Sequence, residues 1–159
     1  MIEQLDALYR DVILDYFKNS SHAGELPTAQ IKAEGTNPLC GDEMTFYLVL
    51  DGSRISQARF KGRGCAISQA AASMLAQQVE GKTLREVGQV IEAMKGLMQG
   101  KEPDASVDLG DLEALAGVRK FPVRVKCAAL SWNVVEQALA NQRTQHTAHR
   151  TPRKPETLS

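Results

Sequence analysis

The sequence predicts an α+β domain, a small antiparallel β-sheet with helices packed on it. Met44 to Leu50 is rich in aromatic and β-branched residues and runs directly into Asp51-Gly52, a pair that tolerates the positive φ angles of a tight hairpin turn. From Cys65 onward apolar residues recur at helical spacing, through Ala70, Ala71, Met74, Leu75 and Val79. An apolar fraction of 43% in 159 residues supplies one core, and the length leaves no room for two full domains.

In chain order, residues 3 to 18 read as an amphipathic helix whose stripe is Leu5, Leu8, Val12 and Tyr16. Asn19 to Gly24 ends it as a loop, and Gln30 to Glu34 reads as a short strand. Arg54 to Lys61 is the returning strand of the hairpin. Its apolar positions change parity between Ile55 and the Ala58/Phe60 pair, which predicts a β-bulge. The helix from Cys65 stops at Gly81, and Thr83-x-x-Glu86 is a capping box that opens another helix to about Met98. Gly100 to Asp108 reads as a loop and Leu109 to Ala116 as a short helix. Pro122 suits a first helical turn, and Val123 to Ala140 continues as a well-buried helix, apolar nearly all round. The domain is therefore expected over residues 1–141. Residues 142–159, rich in Gln, Thr, Pro and basic residues, are expected to form a disordered tail.

Nineteen Lys+Arg balance nineteen Asp+Glu, so bulk charge does not suit nucleic-acid binding. The longest strictly apolar run, Phe46 to Leu50, is far short of the roughly 20 residues of a membrane helix. The beginning of the chain is acidic and lacks the pattern of a secretory signal, so a cytoplasmic setting is expected.

Three cysteines, an odd number, argue against a disulfide framework. Cys40 lies in Asn37-Pro-Leu-Cys-Gly-Asp42, a turn in which Gly41 leaves space beside the thiol and Asp42 can converge on the same cation. Cys65 lies in Gly62-Arg-Gly-Cys-Ala-Ile-Ser68, where a strand gives way to a helix whose free N–H groups favour thiolate. Cys127 follows Arg124 and Lys126 in the last helix, and those cations also favour thiolate. A small buried hydrophobe explains any one of these cysteines but strains over all three. Cys40, Asp42, Cys65 and Cys127 form a donor set that suits tetrahedral Zn²⁺, and it equally suits iron in an iron–sulfur cluster. His22, His146 and His149 fall outside these motifs and are read as non-ligands.

With these residues in view, the chain resembles the iron–sulfur assembly family that includes the IscU scaffolds and the NifU N-terminal domain. Its carriers are Asn37 to Asp42, Gly62 to Ser68 and Lys126-Cys-Ala-Ala-Leu-Ser-Trp132, and the likeness spans roughly residues 1 to 140. Within the family it looks like the SufU branch. Lys126 stands where scaffolds typically carry His, and residues around 97 to 119 resemble an extra SufU segment. The resemblance implies Zn²⁺ held by Cys40, Asp42, Cys65 and Cys127, with Cys40 accepting sulfur from a SufS-type, PLP-dependent cysteine desulfurase and passing it to downstream iron–sulfur assembly proteins. It also matches Arg124 to an Arg of the SufU pattern, a candidate partner contact. Arg59, Lys61 and Arg63 alternate on one strand face and are weaker candidates for the same role.

Three functions compete at this point. The first is a zinc-dependent sulfurtransferase. The second is a non-enzymatic scaffold on which a [2Fe–2S] cluster is built. The third is a structural zinc site, disfavoured because such a site contributes about 10–16 kcal/mol, and a chain this apolar should fold without so large a contribution.

Overall fold

The computed structural model describes residues 7–38 and 40–150, excepting the side chains of 142–150. A first helix, α1 (Ala7–Lys18), precedes three strands: β1 (Ile31–Asn37), β2 (Asp42–Asp51) and β3 (Arg54–Arg63). The strands form one antiparallel sheet in the order β1-β2-β3. Three further helices follow: α2 (Ala66–Val79), α3 (Leu84–Met98) and α4 (Pro122–Arg150), with a 3₁₀ segment, Gly110–Lys120, before α4.

The hairpin turns at Asp51 to Arg54, as its Asp-Gly predicts. Val49 pairs with Gln57 but Leu50 pairs with Ile55, so Ser56 is the extra residue of a bulge. That one residue resets parity, and Ile55, Ala58 and Phe60 all reach the buried face. Met44, Phe46 and Leu48 of β2 join them there. Phe46 and Phe60 sit directly opposite, ring centroids 6.2 Å apart, a cross-strand aromatic pair. Helix α4 covers β1, and α2 lies between α4 and β3. The capping box of α3 forms as read, with Thr83 Oγ1 accepting from the Glu86 N–H and the Glu86 carboxylate accepting from the Thr83 N–H.

The structure departs from the reading at four places. In α1 the fully buried residue is Ile13, whereas Leu8 is 71% exposed. The inward stripe is set by Tyr9, whose ring lies against Gly117, by Ile13, and by Tyr16, whose hydroxyl donates to Asp111 at 2.6 Å. Leu5 and the expected first turn lie outside the described residues. Strand β1 extends past Glu34 to Asn37, because its ladder with β2 continues to the Asn37–Asp42 pair. The 3₁₀ segment reaches Lys120 rather than Ala116, since Gly117 and Val118 are both buried. Helix α4 runs to Arg150 rather than Ala140, so the first part of the expected tail is helical; residues 151–159 lie outside the described ones.

Candidate metal centre

Three chain segments meet at one end of the sheet. Cys40 sits in the β1–β2 turn, its N–H donating to the Asn37 carbonyl at 3.2 Å. Gly41 follows with φ +71°, a left-handed conformation that favours glycine, and a Cβ there would meet nothing within 4 Å. The space beside Cys40 that the sequence suggested is therefore real, and the thiol is half-buried at the rim.

Asp42 is the first residue of β2 and is 1% exposed. Burying a carboxylate requires partners, and one oxygen has two of them. Oδ1 accepts from the Cys65 N–H at 3.0 Å and from the Ser68 hydroxyl at 3.2 Å. Oδ2 is buried with no hydrogen-bond partner. Such an orphan costs about 1–3 kcal/mol, more for a charged group, and calls for an explanation. Gly64 makes the arrangement possible. Its φ is +150°, and a Cβ there would stand 2.1 Å from Asp42 Oδ1 and 2.9 Å from Ser68 Oγ.

Cys65 is the N-cap of α2, its sulfur accepting from the Ser68 N–H at 3.4 Å. Cys127, in the second turn of α4, is fully buried. Its sulfur lies 2.8 Å from that of Cys40. Arg124, nearly one turn earlier, points its Nη1 at both, 3.9 Å from Cys40 Sγ and 3.8 Å from Cys127 Sγ. Asn37 adds a distant amide donor, 3.9 Å from Cys127 Sγ. Burial pushes the Cys127 thiol well above its ordinary range, helped by its contacts with Cys40 and Cys65 and opposed by Arg124. This corrects the expectation that neighbouring cations favour thiolate there, because Lys126 points to solvent and Arg124 does not outweigh desolvation.

Donor atoms of Cys40, Asp42 and Cys127 all lie within 4.8 Å of one another. Two ligands of one tetrahedral zinc, each at about 2.0–2.3 Å, stand roughly 3.3–3.8 Å apart, so the three donors need only small shifts to share a single ion. The Asp42 carboxylate, with one oxygen free of hydrogen bonds, and two adjacent sulfurs are what such an ion would use. Cys65 is not in that group, although its thiol is in contact with Cys127; its sulfur accepts from the Ser68 N–H, and its backbone N–H ties it to Asp42. Of the predicted ligand set, then, three donors converge and the fourth borders them.

The weaker candidates fare differently. Arg59, Lys61 and Arg63 share the solvent face of the sheet, as read, and each meets a carboxylate: Glu80 at 3.0 Å, Glu25 at 2.6 Å and Glu43 at 2.9 Å. Arg124 faces the thiols. His22 bonds Ser21 and Glu80, 2.9 and 3.1 Å away, far from a ligand's role, while the side chains of His146 and His149 lie outside the described ones. Sequence reasoning did not single out Ser68 or Asn37, although both lie inside the motifs it quoted.

Among the described residues no helix is long and apolar enough to cross a membrane. The chain is 46% identical over 138 residues to the zinc-dependent sulfurtransferase SufU of Bacillus subtilis, covering 87% of this chain and 93% of that one. It is 35% identical over 150 residues to the iron–sulfur cluster assembly scaffold protein IscU of Streptococcus pyogenes, covering 94% and 92%. A crystal structure of a putative iron–sulfur cluster assembly scaffold protein for the SUF system from Fervidobacterium islandicum superposes with a TM-score of 0.77 at 40% identity, over 81% of this chain and 94% of that one. The NifU-like N terminal domain family matches residues 8–128, most of the chain and all three cysteines, and this protein belongs to that family.

Proposed function

We propose that this chain is a sulfur acceptor in iron–sulfur cluster assembly, taking persulfide sulfur on Cys40 from a PLP-dependent cysteine desulfurase in the cytoplasm. The carrying observation is the unequal anchoring of three neighbouring thiols. Cys127 is buried in a helix and Cys65 caps one, while Cys40 stands half-exposed on a turn beside open space. Only Cys40 can approach a partner without disturbing a helix.

Cys40, Asp42 and Cys127 would hold a zinc ion, with Cys65 completing the set; this is the metal named for the Bacillus relative. Bound zinc supplies thiolates that stay deprotonated at neutral pH. In transfer, the Cys40 thiolate attacks the outer sulfur of the partner's persulfide. The partner's S–S bond breaks, its cysteine leaves as thiolate, and Cys40 carries the outer sulfur as a persulfide. Arg124 faces the sulfur of Cys40 and is placed to balance the negative charge there.

A desulfurase turnover assay with cysteine as substrate tests the reading. Adding this protein should raise turnover, and Cys40→Ala should abolish the increase; stimulation that survives Cys40→Ala removes Cys40 from the acceptor role. The scaffold reading draws on the likeness to IscU proteins. It requires a stable iron–sulfur absorption after reconstitution and transfer of the cluster to an apo-protein.

A further inference from the structure

We propose that Ser68 is a positioning residue for the metal centre, holding the Asp42 carboxylate so that one oxygen is left over for the ion. The inference rests on the metal-binding part of the reading above. Ser68 is completely buried at the third position of α2. A hydroxyl has one proton to donate. Here that one proton is shared between Asp42 Oδ1 at 3.2 Å and the Cys65 carbonyl at 3.1 Å, while Gln69 Nε2 donates to the hydroxyl oxygen at 3.3 Å.

The consequence lies in the other carboxylate oxygen. With Oδ1 fixed by the Ser68 hydroxyl and the Cys65 N–H, the plane of the carboxylate is set and Oδ2 is left unpartnered, on a residue whose carboxylate lies within 4.8 Å of the Cys40 and Cys127 sulfurs. Removing the hydroxyl leaves Oδ1 on the single Cys65 N–H, about which the carboxylate can swing. Groups that orient a ligand in this way typically cost 10–100-fold in metal affinity when removed. Ser68 thus joins the helix that Cys65 caps to the start of β2, two residues after Cys40. A lone structural serine would do neither.

The test is a double-mutant cycle on zinc affinity in the full chain, measured by competition with a chromophoric chelator, with thermal unfolding of the metal-free proteins alongside. Ser68→Ala should weaken zinc binding about 10–100-fold. In an Asp42→Ala background the same change should cost nothing further, because Ser68 acts through Asp42. Ser68→Thr, which keeps the hydroxyl, should recover most of the affinity. Unchanged affinity in Ser68→Ala, an equal loss in the Asp42→Ala background, or a Ser68→Ala chain that does not fold would each overturn the proposal. Wild-type protein that binds no zinc would overturn the metal centre itself and this role with it. Wild-type protein that binds zinc but leaves desulfurase turnover unmoved would overturn sulfur acceptance while the Ser68 result still stands.

Discussion

The Cys40 turn and the Cys65 turn look alike in sequence, since each sets a cysteine beside a glycine at the end of a strand. In the structure they are opposites. The Cys40 turn is open, with nothing within 4 Å of where a Gly41 side chain would begin. The Cys65 turn is closed: Gly64 lies against the Asp42 carboxylate, and the thiol and N–H of Cys65 are both engaged. One loop leaves room around its cysteine, while the other packs its cysteine against the Asp42 carboxylate. A glycine-flanked cysteine alone does not say which.

Substitution of the glycines probes that contrast most strongly. Gly64→Ala combines an unfavourable φ with a collision at Asp42, and should cost about 2–4 kcal/mol in denaturant unfolding and abolish metal binding. Gly41→Ala meets only the left-handed backbone penalty, about 1–2 kcal/mol, and should keep its metal. Equal effects from the two would break the comparison. Next in size, Cys65→Ala removes a helix cap and should lower metal-free stability by about 1 kcal/mol, whereas Cys40→Ala should leave the metal-free unfolding midpoint where it was.

Glu80, at the C-cap of α2 beside β3, is a control away from both turns. Burial works to raise its carboxyl, but bonds from the Ala58 N–H, His22 and Arg59 prevail and hold it below the ordinary value of 4.5. A depressed carboxyl contributes stability that is present above its unfolded pKa and lost as pH falls through the folded one. Glu80→Gln should therefore flatten the acid side of the stability–pH curve below about 4.5 without changing metal content. The smallest effects belong to Lys61→Ala and Arg63→Ala, whose pairs are well exposed and should leave the unfolding midpoint unchanged. A fall in desulfurase stimulation with an unchanged midpoint would give that strand face a docking role.

What the sequence disclosed was local. The hairpin was legible in Asp51-Gly52, the bulge in the parity break after Ile55, and the start of α3 in its capping box, because each depends on residues a few positions apart. The cysteine motifs were legible as motifs. What they do individually was not, since it depends on side-chain direction across elements far apart in the chain. Nothing near Asp42 in sequence shows that Ser68 and Cys65 take one of its oxygens and leave the other bare. Nor does Arg124 declare, before the fold is known, that it faces sulfur rather than solvent. The 3₁₀ segment extended past its expected end for the same reason: Val118 is claimed by a core assembled elsewhere.

The most direct measurement is where sulfur first lands. A single turnover with a cysteine desulfurase and cysteine, quenched by alkylation and read by peptide mass spectrometry, should put one additional sulfur on the peptide carrying Cys40 and none on those carrying Cys65 or Cys127. The added sulfur on either of the helix-bound cysteines, with Cys40 unmodified, would contradict the account.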